Sequence, residues 1–78
     1  MQNINWDLLK EVLTVCYNEH KPYIREFRLQ NLKILVITKY SHTDFKLQIL
    51  DKDKNILNEM KIKNPDECFE KIYELVNQ

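Results

Sequence analysis

Four consecutive residues, Ser41, His42, Thr43 and Asp44, include every side-chain type of a hydrolytic triad. That chemistry needs a nucleophilic hydroxyl, a base to take its proton and a carboxylate to orient the base, converging from separate elements. Neighbours within one turn cannot converge in this way, so the tetrapeptide reads as a solvated hairpin. The metal-binding residue types are as dispersed. His20 and His42 read as isolated from each other and from Cys16 and Cys68, and no pair has zinc-ligand spacing. Both cysteines fall on or beside the apolar faces of helical segments, where a thiol behaves as a small hydrophobe. A reduced pair is expected rather than a disulfide. With no glycine in the chain, no glycine-rich loop can cradle a phosphate. The expectation is a protein that is not an enzyme and has no catalytic residue, metal site or cofactor.

One further pattern has chemical meaning. Asp51-x-Asp53-x-Asn55 resembles the first half of an EF-hand calcium loop. That loop needs glycine at its sixth position for the sharp turn and glutamate at its twelfth for two oxygens. Those positions hold Ile56 and Ile62, so the segment reads as a hairpin loop.

The elements that would position any site are marked by caps and periodicity. A helix is predicted from about Trp6 to Asn18, with Asn5 as its N-cap, Asp7 in the first turn and an apolar face of Leu9, Val12, Leu13 and Cys16. Pro22 ends it by about His20. Tyr23 to Leu29 reads as an edge strand, with a short helix opening at Pro22 as the competitor. Leu32 to Tyr40 is the clearest strand, and it is apolar on both faces in its middle. Ser41 to Thr43 turn the chain, Phe45 to Leu50 alternate as a half-buried strand, Asp51 to Asn55 form a polar loop, and Ile56 to Ile62 make the last strand. Asn64, Pro65, Asp66 and Glu67 then open a second helix, whose apolar stripe is Phe69, Ile72, Tyr73 and Val76. The prediction is an α+β domain: an antiparallel three- to four-stranded meander flanked by N- and C-terminal helices, both on one sheet face. Without glycine, left-handed backbone is expected to fall to Asn or Asp.

Seventy-eight residues suit one domain with a thin core, 1–78. An apolar content of 44% and a formal net charge of zero describe a folded chain. No apolar run approaches the roughly 20 residues of a membrane helix, and the start lacks a charged segment followed by an apolar one. A cytoplasmic protein with no membrane partner is expected. The chain has no Ala, no Gly, and ten Lys to two Arg. This matches AT-rich codon usage and sets the expectation of a low-GC bacterium or its phages.

Alternation assigns Ile34, Val36, Phe45, Leu47, Ile49, Met60 and Ile62 to the inner sheet face. The outer face then receives Leu35, Ile37, Leu50 and Leu57 within a rim of Lys33, Lys39, Lys46 and Lys61. An apolar patch on a face that should be polar marks an interaction site. An alternative surface is the acidic second helix, with Asp66, Glu67, Glu70 and Glu74. Residues 32–63 carry seven Lys against four acids, and residues 64–78 carry one Lys against four, which predicts a basic sheet opposed by an acidic helix.

The order helix–three strands–helix resembles the double-stranded RNA-binding domain, which implies phosphate recognition from the start of the second helix. Here that place reads Asn64-Pro65-Asp66-Glu67, which repels phosphate, and the family's glycine-bearing strand loop is missing. The leading expectation is a non-catalytic protein-binding module from a phage or mobile element. Its partner would be a host protein that it inhibits, such as a defence nuclease in an anti-CRISPR-like role, or a second copy in a homodimer. The alternative is a nucleic-acid-binding accessory protein using the lysine-rimmed sheet, with weak binding at physiological salt.

Overall fold

A computed structural model describes residues 3–78. The order is α1 (Trp6–Asn18), β1 (Tyr23–Arg28), β2 (Ile34–Lys39), β3 (Phe45–Leu50), β4 (Ile56–Ile62) and α2 (Pro65–Val76). The segment after Pro22 is a strand. The four strands pair antiparallel with their sequence neighbours in the order β1-β2-β3-β4. The fourth strand separates this chain from the three-stranded topology of the double-stranded RNA-binding domain.

Both helices start where asparagine satisfies their first amides. Asn5 Oδ1 accepts from the Leu8 N–H at 3.1 Å, and Asn64 Oδ1 accepts from Asp66 at 2.7 Å and Glu67 at 3.4 Å. Leu9, Leu13 and Cys16 on α1, and Cys68, Ile72 and Leu75 on α2, are the buried stripes at helical spacing. Phe69, on the stripe assigned to α2 from sequence, is half-buried against the core, while Tyr73 of the same stripe remains exposed; both meet Trp6 of α1 edge-on, at 6.1 and 4.8 Å.

Both helices cover the same sheet face. Leu9, Leu13, Cys68, Ile72 and Leu75 form one core with Phe27, Leu35, Ile37, Phe45 and Leu47, and Ile49, Met60 and Ile62 pack against it. This corrects the face assignment of β2. Leu35 pairs with Ile49 and Ile37 with Leu47, so Leu35 and Ile37 point into the core, each 0% exposed. Ile34 and Val36 take the other face. The physical reason is hairpin length: a strand side chain changes face with every one-residue slip, and a strand apolar on both sides fixes no register alone.

Lys39 follows Leu35 and Ile37 inward and is buried. Its ammonium donates to the carbonyls of Tyr40 and Ser41, each at 3.1 Å, and lies 5.8 Å from the Phe45 ring centroid. A buried lysine is tolerable when its donors are engaged in this way.

Left-handed backbone does not fall to Asn and Asp alone. It occurs at His20 (φ 53°), Asn31 (φ 61°), Leu32 (φ 61°) and Lys54 (φ 66°). His20 lies just past the C-cap of α1, where the Lys21 N–H closes on the Cys16 carbonyl at 3.0 Å, a turn that demands a left-handed residue. Asn31 and Leu32 are the two central residues of the Gln30–Lys33 turn, and their positive φ values match the right-handed twist of the hairpin. Topology sets these demands, and without glycine other residues must meet them.

Candidate functional site

The helices cover one side of the sheet, and among the described residues nothing crosses the other. The registers arrange that open side in three rows across β1 to β4. The first row is Arg28, Ile34, Leu50 and Ile56; the second is Glu26, Val36, Gln48 and Glu59; the third is Ile24, Thr38, Lys46 and Lys61. Ile34, Val36 and Leu50, on the central strands, are half-buried by their neighbours alone. Ile24 is 74% and Ile56 57% exposed on the edge strands. Gln48 donates to Glu59 at 2.7 Å across the β3–β4 pair. Lys46 and Lys61 stand directly opposite each other, a like-charge pairing that disfavours the sheet slightly.

The residues expected from sequence to bind a partner therefore divide. Leu50, Lys46 and Lys61 lie on the open face. Leu57 is exposed where the register shifts between Ile49 and Leu50, so it borders that face as the extra residue of a bulge. Lys33 is exposed in the turn before β2. Leu35, Ile37 and Lys39 belong to the covered side and cannot contact a partner. Ile24, Ile34, Val36 and Ile56 replace them. The end of the face bearing the first row is extended by Leu32, 72% exposed at the tip of the β1–β2 hairpin. The alternative surface holds together: Asp66, Glu67, Glu70 and Glu74 are all exposed on α2, and Glu74 meets Lys71 at 3.4 Å.

The Asp51–Asn55 segment is a hairpin loop. The Asp51 carboxylate accepts from the backbone N–H groups of Asp53 and Asn55, each at 2.9 Å, and from Asn55 Nδ2 at 3.2 Å. The Asn55 N–H leads in holding that carboxyl below the usual aspartate range. Cys16 and Cys68 are buried and not joined, and desolvation pushes the Cys68 thiol up to about 12. Ser41 to Asp44 form the β2–β3 turn, with Thr43 Oγ1 accepting from the Tyr40 N–H at 3.0 Å.

His20 and His42 are not isolated from each other: their ring centroids are 4.6 Å apart with planes inclined by 32°. The β1–β2 register explains the meeting, because pairing Tyr23 with Lys39 and continuing past the strand ends sets His20 opposite His42.

Compared with protein-family models, with curated proteins and with solved structures, the chain matches none of them.

Proposed function

We propose that this protein is a non-catalytic binding module that docks a protein partner on the open face of its sheet. The observation that carries this reading is the apolar row Ile34, Leu50 and Ile56, continued by Val36 and Ile24 and bordered by Leu57 and Leu32. A side chain of this kind gains about 1.5–3 kcal/mol on passing from exposed to buried, and the already half-buried Ile34, Val36 and Leu50 gain less. The Lys46–Lys61 pair adds electrostatic selectivity, since a carboxylate brought by the partner relieves the repulsion between them. The fitting surface is apolar at one end and acidic at the other. The codon-linked composition supports a phage or mobile-element setting, in which such a module blocks a host protein.

The test is capture from a low-GC bacterial lysate by the wild type and by an Ile34→Lys, Ile56→Lys variant whose circular dichroism and melting match it. The wild type should capture a protein that the variant loses. Equal capture by both moves the interface elsewhere, first to Asp66, Glu67, Glu70 and Glu74. Light scattering on the same pair identifies the partner as a second copy if the wild type is a dimer and the variant a monomer. A nucleic-acid reading is favoured by one observation: Lys46, Lys61, His42 and the exposed Tyr40 line a recess of about 370 Å³, in which Asp44 is the opposing charge. Tight DNA or RNA binding that falls steeply with salt would displace the protein-binding reading.

A further inference from the structure

We propose that His20 and His42 form a two-imidazole site for a divalent transition metal, preferring Ni²⁺ or Cu²⁺ to Zn²⁺. The site does not rest on the docking reading, although His42 also borders the recess beside Lys46 and Lys61. The side chains come from different elements, the α1–β1 link and the β2–β3 turn, and both are exposed to solvent. Their centroids lie 4.6 Å apart. A metal bound at about 2.1 Å by one nitrogen of each ring lies roughly 3.2 Å from each centroid, and a 4.6 Å separation then subtends about 90° at the ion. A right angle is the cis angle of square-planar and octahedral complexes, which imidazole forms with Cu²⁺ and Ni²⁺. Tetrahedral Zn²⁺ requires a wider angle. The planes are inclined by 32°, and each ring, exposed to solvent, is free to turn about its Cβ–Cγ bond to present a nitrogen to one ion.

The backbone already holds the pair together. The His20 backbone is fixed in the left-handed region by the closing turn of α1, so only side-chain rotations remain to be ordered when the ion arrives. No group of three or more His, Cys, Asp or Glu able to hold a metal exists among the described residues. Water therefore completes the coordination, and the ion exchanges readily. The surrounding charge is mixed. Asp44 lines the same recess, of about 320 Å³, and favours a cation, whereas Lys39 and Lys63 oppose it. The Lys39 ammonium is turned to the carbonyls of Tyr40 and Ser41.

The experiment is a calorimetric titration of tag-free protein with NiCl₂ at mildly alkaline pH. MgCl₂ and ZnCl₂ are titrated in parallel. One Ni²⁺ per chain is expected, with Zn²⁺ weaker and Mg²⁺ silent. His20→Asn keeps a residue that tolerates left-handed backbone, and His42→Gln keeps a polar turn residue. Each should weaken Ni²⁺ by about tenfold or more, the loss already seen for groups that merely support a metal ligand. Ni²⁺ should also raise the melting temperature of the wild type and not of either variant. Absence of Ni²⁺ binding by the wild type, unchanged affinity in either variant, or Zn²⁺ bound more tightly than Ni²⁺ would each overturn the proposal.

Discussion

Leu35 and Ile37 show how much one inward-facing side chain decides. Truncating either to alanine is expected to cost about 2–5 kcal/mol, and a core of this size supplies only about 3–5 kcal/mol of net stability. Leu35→Asp combined with Ile37→Lys leaves two charges in the core without solvent. The double variant should be unfolded by circular dichroism at room temperature; a native spectrum would return these residues to the surface. The Cys68 thiol makes a second residue-scale prediction. In the unfolded chain it ionises near the usual value of about 8.5, and burial pushes it up to about 12 in the fold. Its contribution is therefore complete below the unfolded value and is lost as pH rises from there towards 12. The melting temperature should fall across that alkaline window, and Cys68→Val should flatten the profile. Tyr23, also raised by burial, adds a decline at higher pH that Cys68→Val leaves in place.

At the scale of elements, the turns carry avoidable strain. Left-handed backbone costs a residue with a β-carbon roughly 1–2 kcal/mol, and Leu32 and Lys54 both adopt it. Leu32→Gly and Lys54→Gly should each raise the urea midpoint, by about 1 kcal/mol in stability. Leu32→Gly should in addition weaken partner capture, because it removes an exposed leucine beside the apolar row, whereas Lys54→Gly should not. The elements themselves were legible in the sequence. Asn5 and Asn64 announced the helix starts, Pro22 the end of the first helix, and the alternation from Phe45 to Leu50 a half-buried strand. The faces of β2 were not legible, because Ile34, Leu35, Val36 and Ile37 satisfy either orientation and Lys39 argued for the wrong one. The choice lay in the number of residues between β2 and β3, a property of the turn. The meeting of His20 with His42 was hidden for a related reason: it depends on a hairpin pivoting about Asn31, not on any spacing between metal ligands. The open apolar face was legible in kind, since Leu50, Lys46 and Lys61 were placed on it, while the members drawn from β2 were exchanged.

At the scale of the molecule, two layers of opposite tendency lie back to back. The helices carry Asp7, Glu11, Asp66, Glu67, Glu70 and Glu74 against Lys10 and Lys71, while lysine outnumbers acid from residue 32 to 63. The sheet also has a simple connectivity, every strand bonding to the next in sequence, whereas the packing of α1 against α2 and of both helices on the sheet joins distant parts of the chain. That difference sets an order of events. Short-range pairings close small loops at little entropic cost, and hairpins form in about 1–10 μs. The helix–helix contact must wait for the ends to be brought together. The rate-limiting barrier should therefore hold an assembled meander with undocked helices. Trp6→Ala, which deletes the 4.8 Å contact with Tyr73, should speed unfolding and leave the refolding rate nearly unchanged in stopped-flow measurements. Ile37→Val should chiefly slow refolding. While the helices remain undocked both sides of the sheet are bare, so the interval before they close is when the nascent chain is most exposed to aggregation.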